Sequence, residues 1–242
     1  MTPLGLSFPA CCATKKSQTA ARVTKPKTKI FLVDDHPLVR EWLTNLIHQQ
    51  PDLAVCGEAE NAPEALQAIA RLKPEIAIVD ISLHGSSGIE LIKDLKTIRP
   101  PVAVIVLSMH DENLYAERAL RAGARGYIMK RETAKNVIAA IRSVLEGNLY
   151  LSKRLMVLFA EKFVEGSAAT AGPSIEQLSN RELEVFQLLG QGCETRQIAE
   201  SLHVSMKTVQ AFCARIKEKL KLASATELLR EAIRWHENQQ AK

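Results

Sequence analysis

The stretch of sequence that most constrains the fold is residues 74–80, which read Pro-Glu-Ile-Ala-Ile-Val-Asp. An apolar run of this length, rich in β-branched side chains and flanked by helical patterns, is typical of a strand buried on both faces of a parallel sheet. Asp80 then lies at the C-terminal end of the strand, which in an open α/β sheet is the end where ligands bind. Residues 29–33 form a second such run, which ends in Asp34 and Asp35.

From residue 29 onward, strand-like and helix-like segments alternate. Strands are predicted at 29–33, 53–56, 76–79, 102–107 and 126–129, and helices at 37–48, 62–72, 88–98, 112–121 and 133–146. Five βα units in a row predict an α/β fold with a doubly wound, five-stranded parallel sheet. Because the carboxyl ends of parallel strands share one edge, the three carboxylates are expected to lie in one crevice with Ser108 and Lys130.

The predicted crevice has the composition of a metal and phosphoryl site. Three neighbouring carboxylates repel one another, so their joint ionisation requires a cation. With carboxylates, backbone carbonyls and water as the available ligands, Mg2+, or alternatively Mn2+, is favoured over zinc or copper. A carboxylate in such a site can act as a nucleophile towards a phosphoryl group, whose charge the metal ion and a lysine neutralise. Lys130 and Ser108 are placed for that second role.

Length and composition favour a cytoplasmic chain of two domains without a membrane span. The 242 residues are 46% hydrophobic and 24% charged, and the longest apolar runs are far shorter than the roughly 20 residues that a span requires. The five cysteines form no CxxC pair and no zinc-spaced cluster with histidine, which favours free thiols in a reducing compartment.

The positive charge of the chain comes from its N-terminal tail. The net charge is +5, and residues 1–29 hold six Lys and Arg and no acidic residue. Global charge therefore does not by itself indicate nucleic-acid binding. We expect residues 1–28 to be a disordered basic tail, residues 29–150 to form the α/β domain, and residues 151–174 to be a linker that is first helical and then rich in Gly, Ser and Ala.

Residues 175–242 show helical patterns only and predict a small all-α domain of four helices. Capping boxes at Ser179 and Ser224 predict two helix starts. A short helix at 195–202, a tight turn and a longer helix at 206–220 indicate a helix-turn-helix. The apolar stripe of the longer helix faces the core. The opposite face carries the candidate DNA contacts, which are Lys207, Thr208, Gln210, Ala211, Ala214, Arg215 and Lys217, with Lys219 also on that face.

Four motifs of the first domain resemble those of the receiver domain of bacterial two-component response regulators. They are Leu-Val-Asp-Asp-His at 32–36, Ile-Val-Asp-Ile at 78–81, Leu-Ser-Met-His at 107–110 and Gly-Tyr-Ile-Met-Lys at 126–130. The resemblance covers about residues 29–150 and implies a CheY-like, flavodoxin-like fold. It also implies that Asp80 accepts phosphate from a sensor histidine kinase or a small phosphodonor, and that Asp34, Asp35, Asp80 and the backbone carbonyl of Ser82 hold Mg2+.

The same resemblance implies a switch. Ser108 is expected to hydrogen-bond the phosphoryl group, Lys130 to pair with it, and Tyr127 to reorient as Ser108 moves. Two positions depart from the family pattern. His84 stands where a proline is common, and Arg131 follows Lys130 where many receivers have a proline.

The second domain resembles the LuxR/FixJ type of DNA-binding domain over nearly all of residues 175–236. The residues that carry this resemblance are 178–185, 198–199 and 204–209. The family often has Lys at the place of Gln210 and His at the place of Phe212, so the individual DNA contacts and the target sequence stay open. The last helix has a broad apolar face, which by resemblance is a candidate self-association surface for dimers on paired DNA half-sites.

The whole chain is thus similar to response regulators of the NarL/FixJ family. The leading hypothesis is a transcription regulator that binds double-stranded DNA, dimerises when phosphorylated on Asp80, and is not an enzyme. One alternative is a phosphorylation-independent transcription factor whose first domain serves for dimerisation. Another is a phosphotransferase or phosphatase that turns over through an aspartyl phosphate; such enzymes usually have an acid two residues after the nucleophile, where this chain has Ser82.

Overall fold

The computed structural model describes residues 26–83, 85–98, 101–109, 111–132, 134–164 and 175–240. The expected Gly/Ser-rich stretch at 166–174 and residues 1–25 of the expected tail lie outside these ranges. His84, one of the two departures from the family pattern, also lies outside the described residues. Within the described part of the chain, no helix is both long enough and apolar enough to cross a membrane.

The described strands are β1 (Thr28–Val33), β2 (Leu53–Ala59), β3 (Ile76–Val79), β4 (Ser82–Leu83), β5 (Ser86–Ser87), β6 (Ala103–Ser108) and β7 (Gly126–Met129). Five of them form one parallel sheet in the order β2-β1-β3-β6-β7. The two short strands β4 and β5 pair antiparallel and form a hairpin directly after β3. The strand order reverses between β1 and β3, which makes the crevice between their carboxyl ends the expected ligand site.

The helices of the first part are α1 (Pro37–His48), α2 (Ala62–Leu72), α3 (Gly88–Leu95), α4 (Glu112–Ala122), α5 (Ala134–Leu145) and α6 (Lys153–Val164). A 3-10 turn (Ile175–Gln177) precedes α7 (Asn180–Gly190), α8 (Thr195–Ser201), α9 (Met206–Leu220) and α10 (Ala225–Gln240). Apolar side chains of α1 and α5 cover one face of the sheet, and those of α2, α3 and α4 cover the other. The predicted fold, a doubly wound parallel sheet followed by a helical helix-turn-helix domain, is confirmed.

Local chemistry explains most of the element boundaries. Pro37 occupies the first turn of α1, where its missing N–H costs nothing. The Asn61 side chain accepts a hydrogen bond from the Glu64 amide and caps α2. The predicted capping box at Ser179 and Glu182 is present at the start of α7. At the second predicted box Ser224 caps α10 as expected, although the glutamate three residues later accepts from the Ala223 amide.

The main differences between the structure and the sequence prediction lie in three places, and the other bounds differ by at most one residue. Strand β2 extends to Ala59 because it stays paired with β1 across an irregularity in register. Helix α3 ends at Leu95 because Thr97 donates both its amide and its hydroxyl to the Asp94 carbonyl, which closes a tighter turn. The β4–β5 hairpin was not predicted, since two-residue strands carry no periodic pattern.

The two domains contact each other through α4 and α7. The Tyr115 hydroxyl on α4 donates to the side-chain oxygen of Gln187 on α7 at 2.8 Å. The Arg118 guanidinium, one turn further along α4, donates to the carbonyls of Leu178 at 2.6 Å and Ile175 at 3.2 Å. Buried apolar residues continue without a break from the α4 side of the sheet into the helical domain. This contact places α7 next to the carboxyl edge of the sheet.

Candidate functional site

The carboxyl edge of the sheet brings the predicted acidic residues together. Asp34 follows β1 and Asp80 follows β3, and these two strands are hydrogen-bonded neighbours. The Asp80 amide donates to the Val33 carbonyl at 2.8 Å, which fixes the two strand ends in register. Asp34 and Asp80 are buried, with exposed fractions of 2% and 4%. Parallel pairing therefore does what the sequence pattern predicted, and places two carboxylates side by side.

Lys130 bridges these two carboxylates. Its ammonium lies 2.7 Å from an oxygen of Asp34 and 2.7 Å from an oxygen of Asp80. The Lys130 amide donates to the Ser108 carbonyl at 2.8 Å, which holds the end of β7 beside β6. Burial by itself lowers the pKa of Lys130, but the charge and hydrogen bonds of the two carboxylates outweigh it, and the pKa is raised. The lysine is therefore charged and acts as the buried counter-ion of the site.

Asp80 is the carboxyl group whose ionisation the site perturbs most clearly. Burial raises its pKa, the neighbouring ammonium of Lys130 lowers it, and the charge of Asp34 raises it again, so that it stands at about 6. A buried carboxylate that shares its one ammonium partner with a second carboxylate is short of positive charge. The site thus favours a further cation near Asp80.

The donor set at this edge fits a hard divalent cation. One ligand atom from each of Asp34, Asp35, His36 and Asp80 lies within 4.8 Å of the others. Asp35 is partly exposed, and His36 Nδ1 lies 2.7 Å from one of its oxygens. Carboxylate oxygens at an accessible edge are the ligands that Mg2+ prefers. Ser82, whose carbonyl was the fourth predicted ligand, lines the same cavity.

The two predicted switch residues lie behind this edge. Ser108 ends β6 and is fully buried, and Tyr127 in β7 is 1% exposed. Their side chains are hydrogen-bonded to each other, and burial is the largest cause of the raised pKa of the Tyr127 hydroxyl. In this arrangement the Tyr127 ring is packed inward, and its hydroxyl contacts the hydroxyl of Ser108, its predicted partner in the switch.

Two further residues, which were not predicted from the sequence, shape the site. Arg40 on α1 donates to the Asp34 carbonyl at 2.7 Å and pairs with Glu60 at 2.6 Å, which anchors the loop after β1. A Cβ at Gly88 would lie 1.9 Å from the Asp80 carbonyl oxygen, so only glycine allows α3 to begin this close to the acidic edge. The helical spacing of α1 could have identified Arg40, because it places this charged residue on the inward face of the helix with Leu43 and Ile47.

The acidic edge opens onto a cavity of about 520 Å3 that the helical domain lines on the opposite side. Its wall on the side of the first domain includes Asp35, Asp80 and Lys130. The opposite wall is formed by residues of α7 and its C-cap, of the end of α8 and the turn that follows it, and of α10, which are Glu184, Gln187, Leu188, Gln191, Ser201, Leu202, His203, Trp235 and His236. The acidic site therefore faces the second domain.

The second candidate surface is the outward face of α9. The predicted apolar stripe packs inward, with Val209, Ile216 and Leu220 buried. The turn before α9 is tight, because His203 takes a left-handed conformation at φ 52° and the Ser205 hydroxyl caps the helix by accepting from the Thr208 amide at 3.1 Å. The candidate contacts on the opposite face are exposed at Lys207, Gln210, Ala211, Ala214 and Arg215 and half-buried at Thr208 and Lys217.

One basic residue of α9 serves the fold. The Lys219 ammonium lies 2.6 Å from a carboxylate oxygen of Glu182, whose side chain is 2% exposed. It also donates to the Gln177 carbonyl at 3.3 Å. Lys219 was predicted to lie with the other basic residues on the candidate DNA-binding face, and the structure shows that it ties α9 to the start of α7.

Comparison with known proteins agrees with this architecture. A model of the response regulator receiver domain matches residues 30–142, and a model of the LuxR family of bacterial regulatory proteins matches residues 176–232. The oxygen regulatory protein NreC of Staphylococcus carnosus (strain TM300) is 33% identical over 210 residues, which make up 85% of this chain and 97% of that protein.

Two solved structures are similar to the chain. A two-component response regulator of the LuxR family from Aurantimonas sp. SI85-9A1 is 33% identical with a TM-score of 0.53, over 57% of this chain and 99% of its own. RcsB from Salmonella enterica serovar Typhimurium, bound to promoter rprA in the presence of the phosphomimetic BeF3−, is 24% identical with a TM-score of 0.55. That match covers 84% of this chain and 97% of RcsB, and it shows a similar fold.

The fold and the acidic edge define a receiver domain joined to a helix-turn-helix domain. The chain belongs to the two-component response regulators that carry a LuxR-type DNA-binding domain. Its domain composition is that of a regulator of transcription and is consistent with control by phosphorylation. A receiver domain implies a histidine kinase as its partner, and receiver domains typically bind Mg2+ at their acidic site.

Proposed function

We propose that Asp80 is the residue that is phosphorylated. An Asp80 oxygen attacks the phosphorus of a phosphohistidine on the sensor kinase, the P–N bond breaks, and the imidazole leaves with its electron pair. A small phosphodonor with a good leaving group reacts in the same way. The observation that carries this proposal is the convergence at one sheet edge of Asp80, Asp34 and the Lys130 ammonium, which lies 2.7 Å from both carboxylates.

The residues that would hold Mg2+, or Mn2+, are Asp34, Asp35, Asp80 and the backbone carbonyl of Ser82. The clustering of carboxylate oxygens within 4.8 Å supports this assignment. When bound, the ion supplies positive charge that lowers the repulsion between the carboxylates and an incoming phosphoryl group. His36 holds the side chain of Asp35 in place from the open side of the cluster.

Phosphorylation of Asp80 would change the contacts of Lys130, Ser108 and Tyr127. Lys130 is already in contact with Asp80, and a phosphoryl group on that carboxyl brings oxygens within reach of the same ammonium. Ser108 hydrogen-bonds Tyr127 in the present arrangement. A serine hydroxyl that turns to the phosphoryl group leaves Tyr127, and the ring is then free to reorient.

The outward face of α9 would enter the major groove of double-stranded DNA. Small side chains at Ala211 and Ala214 allow close approach, Gln210 can pair bidentately with adenine, and the basic residues suit phosphates. Leu229 and Ile233 are exposed one turn apart on α10 and suit self-association on paired half-sites. In this scheme residues 29–150 and 175–242 are the two functional units, residues 151–174 connect them, and the protein acts by binding DNA and not by catalytic turnover.

The test is phosphorylation of the full-length protein by acetyl phosphate with Mg2+, followed by mass spectrometry. We expect one phosphoryl group on the wild type and none on Asp80→Asn. Asp52→Asn is the matched control, since Asp52 is an exposed aspartate that pairs with Arg142 away from the site. Labelling of Asp80→Asn at the wild-type level would contradict the assignment. Equal DNA affinity of the wild type and Asp80→Asn in the presence of the phosphodonor would favour the phosphorylation-independent alternative.

A further inference from the structure

The wall of the cavity that faces the phosphoacceptor carries a buried carboxylate from the second domain. Glu184, on α7, lines the same cavity as Asp80 and Lys130. It is 1% exposed, although glutamate is almost never fully buried without compensation. Glu184 belongs to the DNA-binding domain but lies at the acidic edge of the receiver. Its carboxylate has no role in the proposed phosphorylation chemistry.

The charge of Glu184 is only half compensated. One carboxylate oxygen lies 2.7 Å from the Arg181 guanidinium. The other oxygen is buried and has no hydrogen-bond partner among the described residues. Burial raises the pKa of Glu184, Arg181 lowers it, and the charge of Asp80 raises it further. The two carboxylates, one from each domain, thus act on each other electrostatically.

Arg181 connects this carboxylate to the receiver. Its guanidinium donates to the Leu83 carbonyl at 3.2 Å and also to the Ser86 carbonyl. Both carbonyls belong to the β4–β5 hairpin, which directly follows Asp80. The Arg181 guanidinium therefore contacts both the receiver hairpin and Glu184. Through Arg181, the Arg181–Glu184 ion pair is connected to the receiver across the domain interface. We call Arg181 and Glu184 the α7 latch.

We propose that the α7 latch senses phosphorylation of Asp80, and that repulsion between the phosphoryl group and Glu184 releases the DNA-binding domain from the receiver. This inference rests on the proposed function, since it requires Asp80 to be the phosphoacceptor. Phosphoryl transfer converts the Asp80 carboxylate, which carries one negative charge, into an acyl phosphate that carries close to two, so the site gains about one negative charge. The Lys130 ammonium is already shared by two carboxylates. The added charge therefore acts on Glu184, which is buried and lines the same cavity, and charge interactions are stronger at buried groups than in bulk water.

The repulsion is felt only while the domains are in contact. Once the domain separates, water solvates both Glu184 and Arg181, and the phosphoryl charge no longer affects them. A modification that raises the energy of one arrangement and leaves the other unchanged shifts the population between them. The latch thereby converts a charge placed on Asp80 into separation of the two domains.

Trp235 offers a native probe of this separation. It lines the interdomain cavity, and its ring packs on Phe186 with centroids 5.7 Å apart. The chain has two tryptophans, so a Trp42→Phe background leaves Trp235 as the only one. Opening of the cavity exposes the Trp235 ring to water and to acrylamide. Quenching of its fluorescence, with and without acetyl phosphate and Mg2+, gives the ratio of open to closed molecules, and mass spectrometry of the same samples gives the phosphorylation of Asp80.

The decisive variant is Glu184→Gln, which keeps the shape and removes the charge. In the full-length Trp42→Phe parent we expect phosphorylation to raise the open-to-closed ratio about tenfold, in the range of common coupling energies. In Glu184→Gln we expect the same phosphorylation but a rise of less than about threefold. The control is Glu231→Gln, which removes a glutamate from an i,i+3 pair with Arg234 on α10 outside the cavity, and which we expect to respond like the parent.

Each result decides the matter. Opening of phosphorylated Glu184→Gln to the same extent as the parent overturns the latch and leaves the proposed function intact. A parent that takes no phosphoryl group on Asp80 refutes the proposed function, and the latch with it. Glu184→Met is likewise uncharged and has the same expected result, should the amide variant not fold.

Arg181→Met tests the other half of the latch, because it removes the two hydrogen bonds to the hairpin carbonyls of Leu83 and Ser86. We expect its open-to-closed ratio to rise without phosphorylation. An unchanged ratio would also overturn the latch.

Discussion

The acidic edge of the sheet and the outward face of α9, the candidate DNA-binding surface, are built in opposite ways. The first gathers buried side chains from three strand ends that are far apart in sequence, and these groups share one lysine. The second is a single helix face whose side chains point into solvent and scarcely touch one another. Residues that share a partner are coupled, and substitutions among them have large, non-additive effects. Residues on an exposed face act one by one, so their effects are smaller and nearly additive.

The largest effect is expected from Lys130→Met. The substitution leaves Asp34 and Asp80, whose side chains are 3% and 5% exposed, without their shared cation. Removal of one partner from a buried ion pair typically costs about 3–5 kcal/mol. We expect the free energy of unfolding of the receiver in urea, without Mg2+, to fall by about 3 kcal/mol, and added Mg2+ to restore part of it.

Lys93→Met is the matched control for that measurement. Lys93 pairs with Glu90 at 2.9 Å, but both side chains are more than half exposed, and such pairs contribute well under about 1 kcal/mol. Equal losses in the two variants would contradict the view that the acidic edge depends on one buried cation.

A smaller effect is expected from Gly88→Ala. The added Cβ would lie 1.9 Å from the Asp80 carbonyl oxygen, so α3 must move away from the acidic edge. Overpacking of this kind costs about 2 kcal/mol, and we expect that loss in the free energy of unfolding together with slower phosphorylation by acetyl phosphate. Gly126→Ala is the control, because its Cβ would make ordinary contacts at 3.5 Å; we expect a change within about 0.5 kcal/mol. The same loss in both variants would show that the close approach at Gly88 is unimportant.

The sequence predicted the fold and the acidic edge well because both follow from short-range patterns. Apolar runs that end in Asp34 and Asp80 mark buried parallel strands, and parallel pairing then brings their ends together without further information. Glu182 and Ser179 likewise predicted the start of α7 through a capping box, which is a purely local interaction.

Features that depend on tertiary contact could not be predicted in this way. The burial of Glu184 results from the docking of α7 on the receiver, which no periodic pattern encodes. Lys219 has the spacing of the other basic residues of α9, and only the position of Glu182 in the folded domain shows that it serves the core. The close approach at Gly88 is equally invisible, since a glycine before a helix has several common explanations.

On the DNA-facing surface we expect a moderate and selective effect from Gln210→Ala. Gln210 is exposed in the middle of the face that α9 presents, and loss of a bidentate contact to adenine weakens binding by about 1–3 kcal/mol. We expect fluorescence anisotropy to show that loss on a DNA sequence selected by the wild type, and no change on unrelated DNA. An equal loss on both sequences would mean that Gln210 contacts the backbone of the DNA and not a base.

The smallest effect is expected from Lys219→Met, and it separates the two kinds of lysine on α9. Lys219 holds buried Glu182 but is itself 37% exposed, so we expect the free energy of unfolding to fall by only about 1 kcal/mol. The salt dependence of DNA binding should stay unchanged. In Lys207→Met, whose side chain is exposed on the DNA-facing side, the stability should stay unchanged and the slope of log affinity against log salt concentration should fall by about 1. We expect no change in the salt dependence for Lys219→Met because its ammonium is neutralised by Glu182 and does not neutralise a DNA phosphate. A smaller slope of log affinity against log salt concentration in Lys219→Met would show instead that Lys219 contacts DNA.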